Sequence, residues 1–300
     1  MSHMPLRTTS SGDEMQRPRG QKSAASTDIL SRRDLSDPHS VRSLRGLARL
    51  VDACHRCSAE RNPLHHIYGG GKTDRPEFCF VLINPTYRNI SAAPHYKGPR
   101  FPFIGVRQFW RVLHQAGFFS IQTLHKVEEK PWSLLTTAAV LKELQRQRVY
   151  VTNLVKCAQN HPRVPSRTAL QEDLPLFARE MQLVRPKRIV AFGRLTSLAL
   201  TGHELSLGRY YTEIKSGGAP RYLEYRASDR LAIPVLPSFF PVGRGNPRLA
   251  AEILRLARTP GSRFATTTSI GIAEAVSAST SRPTLGRTEN GAVHAERATV

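Results

Sequence analysis

This sequence predicts an α/β fold, a parallel sheet covered by helices on both faces, and three observations predict it. Short apolar runs alternate with stretches of helical periodicity between about residues 77 and 258. The runs are nearly continuous in apolar residues instead of alternating with polar ones, as strands buried on both faces are. Hydrophobic residues make up 40% of the 300, enough for one large domain or two small ones.

Residues 1–40 are rich in Ser, Arg, Asp and Gly without apolar periodicity, and residues 259–300 are Ser/Thr/Ala-rich and equally patternless. Both predict disordered tails around a domain at 41–258. Within it, residues 77–83 are the first strand, an apolar run between Pro76 and Pro85. Val106, Phe109, Trp110 and Leu113 recur at helical spacing, and Gly117 stops that helix. Residues 149–155 form the second strand. Thr168 caps a helix carrying Leu170, Leu174, Phe177, Met181 and Val184, which Pro186 ends. Residues 187–192 are the third strand, and Gly193 opens a short helix at 195–200 that Gly202 closes. A fourth strand at 233–236 precedes a last helix at 247–258.

The charge narrows the partner. Lys and Arg number 44 against 23 Asp and Glu, a formal net charge of +21. Residues 45–258 hold 33 of the basic and 15 of the acidic residues, so the excess belongs to the folded domain and not to a tail. A basic folded surface implies a shaped polyanion site, with DNA or RNA leading the candidates. No stretch approaches the roughly 20 apolar residues of a membrane span, and the N-terminus carries no apolar run of a secretory signal. A cytoplasmic, nucleoid-associated monomer with no membrane partner is the expectation.

Ligands of such sheets gather at the carboxyl ends of the strands, and polar motifs fall there. Asn84-Pro85 directly follows strand one; a side-chain amide so placed positions a water or grips a base, although Asn-Pro is also ordinary turn chemistry. Gly98-Pro99-Arg100-Phe101-Pro102-Phe103-Ile104-Gly105 holds an aromatic ring between prolines and glycines, suited to stacking on a base or to packing under a loop. In Thr152-Asn153-Leu154-Val155-Lys156-Cys157, Asn153 alternates with Val151 and Val155 and so shares an apolar face, where a buried amide needs a partner or a ligand. Its C=O and NH₂ match N3–H and O4 of uracil. Pro237 to Pro247 supply a Gly-, Pro- and Arg-bearing loop after strand four.

In this order and spacing, the motifs resemble the uracil-DNA glycosylase superfamily, and within it the iron–sulfur branch called family 4. The resemblance covers about residues 50–255, with Thr152 to Cys157 its most specific part. It implies a three-layer α/β/α sandwich around a four-stranded parallel sheet. It also implies a hydrolase that excises uracil from DNA in base excision repair, flipping the base and leaving an abasic site, with a broader glycosylase that also accepts other deaminated bases as the runner-up. Carried over residue by residue, Asn84 positions the attacking water, Phe103 stacks on the flipped uracil and Asn153 reads its edge. Tyr87 walls the pocket against a 5-methyl group, and Ser238 belongs to the substrate-binding set. Lys156 and Arg244 are the candidate DNA contacts. No lysine stands out in the matched motifs as an imine-forming nucleophile, which predicts a monofunctional enzyme. A non-catalytic damaged-DNA-binding protein on the same scaffold is the alternative.

Two departures from the family pattern matter. The family's closing loop usually offers a histidine to the departing uracil anion, and none lies between Ser238 and Asn246. The loop aligns either with Phe240 in that place or as Leu236-Pro237-Ser238, the mismatch-type pattern, and the leaving-group role is unassigned. Cys54, Cys57 and Cys157 match three positions that hold the branch's [4Fe–4S] cluster, while the fourth falls near Glu172 or Asp173, where no cysteine stands. An absent or incomplete cluster, with no cofactor required for the chemistry, is the expectation; a Cys-x-x-Cys with a zinc ion is the other reading. Cys79 belongs to the core, the histidines at 65, 66 and 114 carry no metal-ligand spacing, and His95 is the one histidine worth testing in catalysis.

Overall fold

The computed structural model describes residues 37–54, 62–161, 164–216 and 220–258. The expected C-terminal tail lies outside these residues, as does the N-terminal one up to residue 36. Pro38–Ser40 form a 3-10 turn capped by the Asp37 side chain.

The sheet has six strands: β1 (Gly70–Gly71), β2 (Phe78–Leu82), β3 (Val149–Asn153), β4 (Ile189–Phe192), β5 (Leu223–Ser228) and β6 (Leu231–Ser238). Their order is β1-β3-β2-β4-β6-β5. The inner four are parallel, as the sequence predicts. The sheet is nevertheless mixed and not four-stranded, because β1 and β5 add antiparallel edges. Two glycines make β1, so no side chain announces it. Strand β5 alternates buried Leu223, Tyr225 and Ala227 with more exposed neighbours, the pattern of a half-covered edge.

Eight α-helices cover the two faces among the described residues: α1 (Leu44–Asp52), α2 (Arg107–Gln115), α3 (Ile121–Glu128), α4 (Leu134–Arg146), α5 (Arg167–Val184), α6 (Arg194–Thr201), α7 (Leu207–Lys215) and α8 (Pro247–Arg258). One core joins Phe80, Leu82, Val151, Phe192 and Leu236 of the sheet to α2, α4 and α8 through Phe109, Trp110, Val140, Leu144, Ile253 and Leu254. The opposite core joins Cys79, Val81 and Tyr150 to Phe177, Met181 and Val184 of α5. Gly117 and Gly202 end their helices at φ +79° and +69°, conformations that cost an L-residue dearly. The cap of α5 is Ser166 and not Thr168: the chain is already helical at Arg167, and the Ser166 hydroxyl accepts from Ala169 N at 3.1 Å.

A buried ion pair locks the end of β3 to α5. Lys156 Nζ and Glu180 Oε2 stand 2.6 Å apart, each side chain 2% exposed. Lys156 also donates to Thr152 Oγ1 at 2.7 Å and to the Asn153 carbonyl at 2.6 Å. Glu180 accepts further from the Tyr150 hydroxyl at 2.9 Å and the Thr152 hydroxyl at 3.0 Å. Both charges are thus met by several partners, the condition under which a buried pair is tolerated. Removing one charge strands the other: Glu180→Ala should destabilise the fold by about 3–5 kcal/mol in chemical denaturation. A loss within about 0.5 kcal/mol, the range of ordinary surface substitutions, would show that the pair does not hold this junction.

Candidate functional site

The parallel register aligns a row of side chains along the C-terminal rim. Leu82 pairs with Asn153 and Phe192 with Ser238, and the β2–β4 register, continued by one residue, brings Leu82 beside Phe192. In-register residues of parallel strands point to one face. The row therefore reads Asn153, Leu82, Phe192, Ser238: two polar ends on an apolar floor. Asn153 is 2% exposed and Ser238 fully buried, yet Asn153 Nδ2 and Ser238 Oγ have no hydrogen-bond partner. Each such atom is destabilising to the protein alone, and such atoms concentrate where a ligand completes them.

Phe103 reaches the same face. Its φ of +63° is left-handed, a strained conformation for an aromatic residue. The strain is held in place because the Phe103 carbonyl accepts from Trp110 Nε1 at 3.1 Å and from Val106 N at 3.0 Å. The ring stacks on Phe109 with centroids 4.0 Å apart and planes 21° from parallel. Phe109 in turn meets Phe192 of the row edge-on at 6.2 Å. One face of the ring is thus covered by Phe109, and the residue as a whole is only partly buried.

Asn84 lies two residues beyond β2, in a segment whose Ile83 carbonyl accepts from Val155 N at 3.0 Å. The Asn84 amide is partly buried, with Nδ2 3.3 Å from the Pro85 carbonyl. Ile83 packs on the α5 face, and the chain bends there, so Asn84 stands past the last residue of β2 and outside its strand alternation. Tyr87 is 49% exposed and lies outside the buried row, with the Arg88 guanidinium 6.0 Å from its ring centre. Arg244 is exposed in the loop after β6. That loop is tight: a Cβ on Gly245 would sit 2.0 Å from the Phe240 carbonyl oxygen. It is tied to α2 where Gly243 N donates to Gln108 Oε1 at 3.0 Å. His95 is exposed.

Lys156 is a correction. Expected on DNA, it is buried against α5 on the face opposite Asn153 and spent on Glu180, so it does not reach a phosphate.

Two of the three candidate cysteines lie among the described residues. Cys54 and Cys157 bring their sulfurs to 3.8 Å, while Cys57 lies outside the described residues. Asp173, near the fourth position of the cluster pattern, is buried with Oδ2 accepting from Lys156 N at 2.8 Å. A [4Fe–4S] cube binds each thiolate to a different iron, and two sulfurs near contact leave no room for it between them. The described residues do not fit that cluster. What joins the two sulfurs is His66, which the sequence reading set aside: Cys54, His66 and Cys157 bring their ligand atoms within 4.8 Å of one another. No short spacing marks the three; only the fold gathers them. Asp52 stands beside His66 at 3.3 Å and is held by Arg100 and the Tyr68 hydroxyl. Burial alone would raise the Asp52 pKa, but these partners outweigh it and keep the carboxyl below its usual range.

Residues 68–255 match the family described as the uracil DNA glycosylase superfamily. A 67-residue stretch, 22% of the chain, is 34% identical to a type-4 uracil-DNA glycosylase of Pyrobaculum aerophilum. A 157-residue stretch, 52% of the chain, is 24% identical to a type-4 uracil-DNA glycosylase of Archaeoglobus fulgidus. The matches span 34% and 63% of those relatives' lengths. No helix among the described residues is long and apolar enough to cross a membrane.

The orphaned hydroxyl of the row gives a stability test. Ser238→Ala removes a buried group with no partner and should leave the free protein as stable or up to about 1 kcal/mol more so. A clear drop in melting temperature would mean that the hydroxyl is already satisfied.

Proposed function

The chain belongs to the uracil DNA glycosylase superfamily, and from that membership we propose that it is a monofunctional glycosylase hydrolysing the N-glycosidic bond of uracil in DNA. The observation that carries this reading is the Asn153 amide, buried at the rim on the face that holds Phe103 and with its Nδ2 unpartnered. In the proposed complex a flipped uracil lies on the face of Phe103 opposite Phe109. Asn153 Nδ2 donates to O4 and its Oδ1 accepts from N3–H, a pairing that cytosine inverts. Asn84 holds the water that attacks C1′ as the bond to uracil lengthens and the sugar gains oxocarbenium character.

The departing uracil is an anion and needs donors aimed at O2. Ser238 stands three strand spacings from Asn153, roughly 14 Å along the sheet, further than one pyrimidine bridges. The Ser238 side chain therefore marks where the closing loop leaves the sheet, and backbone N–H groups of Phe239, Phe240 and Val242 are the proposed donors. Lys156, the lysine of the Thr152–Cys157 run, is consumed in the ion pair on the other face, which supports hydrolysis without an imine. Tyr87 and Arg244, both exposed, are proposed to meet the DNA flanking the base, Arg244 at a phosphate. The proposed partner is uracil-containing DNA acted on by a monomer in the cytoplasm or nucleoid, its affinity falling steeply with salt because the domain is basic.

Incubation with a uracil-bearing oligonucleotide followed by alkali tests the reading: strand breaks at uracil appear only after alkali, and borohydride traps no covalent complex. A gel shift without breaks would instead identify a non-catalytic damaged-DNA binder, the reading that the histidine-free closing loop favours. Asn84→Ala should lower single-turnover rate by about 10²-fold if the amide positions the water; an unchanged rate would remove it from the mechanism. Asn153→Asp should erode the preference for uracil over cytosine, and full retention would refute edge reading by this residue.

A further inference from the structure

We propose that Cys54, His66 and Cys157 are three ligands of a single zinc ion, with His66 binding through Nε2 while Asp52 orients its ring. The inference does not depend on the glycosylase reading.

The distances select one ion over the other thiolate chemistries. Two thiolates bonded at about 2.3 Å to a tetrahedral zinc stand about 3.8 Å apart, the separation found between Cys54 and Cys157. A disulfide would bring the sulfurs to about 2.05 Å, and an iron–sulfur cube would hold them apart. The histidine supplies the independent observation. Its side chain is 10% exposed and its Nδ1 lies 3.3 Å from Asp52 Oδ1. Nε2 is buried and meets no nitrogen or oxygen, while the ring also interacts with the Cys157 thiol. A buried imidazole with one nitrogen on a carboxylate and a ring set against two sulfurs has the form of a carboxylate–histidine–zinc arrangement. Asp52 is itself fixed by Arg100, 2.8 Å away, and by the Tyr68 hydroxyl, so the ring has little freedom to turn.

The three donors come from the residue pair following α1, the segment before β1, and the end of the Thr152–Cys157 run. An ion there joins α1 to the stretch that begins with Asn153, four residues ahead of Cys157. The role is structural: zinc does no redox chemistry, and loading converts two thiols to thiolates, releasing their protons to solvent. The three leave one position of the tetrahedron to a fourth donor.

Elemental analysis of the purified full chain tests this, followed by Co²⁺ exchange and competition with a chromophoric chelator. The proposal expects about one zinc per chain, no stoichiometric iron or acid-labile sulfide, and a tetrahedral thiolate spectrum with cobalt. Asp52→Asn should weaken zinc binding by about 10–100-fold, and His66→Ala should lose the ion. Should His66→Ala fail to fold, His66→Cys decides: it keeps the ion and strengthens the sulfur-to-cobalt charge-transfer absorption. Iron with sulfide, a metal-free Cys54–Cys157 disulfide, zinc undiminished in His66→Ala, or a cobalt spectrum unmoved by His66→Cys would each overturn the assignment. None of these readouts uses glycosylase activity, so the two readings can fail separately.

Discussion

The buried pair of Lys156 and Glu180 is the constraint on which the rest of this structure rests. Strand β3 ends at Asn153, and beyond it the backbone is held by scattered bonds, Leu154 N to the Leu82 carbonyl at 2.8 Å and Val155 N to the Ile83 carbonyl at 3.0 Å among them. Lys156 folds back to grip the Asn153 carbonyl and the Thr152 hydroxyl while pairing with Glu180 of α5. The backbone N–H of Lys156 is held by Asp173 of the same helix. One side chain and one amide thus anchor the turn to α5, leaving the Asn153 side chain free to face the other way. The labours are separated: Thr152 and Lys156 serve the α5 face, Asn153 the rim row, and Cys157 the cysteine–histidine cluster.

Such an arrangement trades stability for specificity. Two ions taken out of water gain little net energy even when well paired, and an unpartnered amide and hydroxyl on the opposite face are outright costs. The strained Phe103 backbone adds another. Aromatic packing among Phe80, Phe109, Phe118 and Phe192 and the fully buried strands of the parallel core supply the offsetting burial. Asn153 and Ser238 carry unpartnered polar atoms on one face of the rim, and Phe103 carries its backbone strain on that same face.

Much of this was legible in the residues. Continuous apolar runs gave the four inner strands, and glycines at 117 and 202 marked helix ends because only their left-handed backbone turns there without strain. Asn153 stood out because a polar residue at an inward position breaks an apolar pattern. Other elements left no such mark. The edge strand β1 is Gly70–Gly71, where a Cβ would collide with Phe101 or the Val149 carbonyl; its information is the absence of side chains. Helix α4 begins with Leu134 and Leu135 turned outward, 55% and 82% exposed, which blurs its period. Lys156 looked like a surface charge because its partner is 24 residues away on a helix whose facing is known only once folded. His66 was hidden for the same reason: its neighbours Asp52, Cys54 and Cys157 converge from separate segments.

The central claim is that a flipped uracil sits on Phe103 and is read by Asn153 at the rim of the sheet. A crystal structure with DNA carrying 2′-fluoro-deoxyuridine, whose glycosidic bond resists cleavage, tests it most directly. The account predicts the base stacked on the Phe103 ring with Asn153 Nδ2 and Oδ1 in hydrogen-bond contact with O4 and N3. A base seated elsewhere, or one in this place with the Asn153 amide turned away from it, would contradict it.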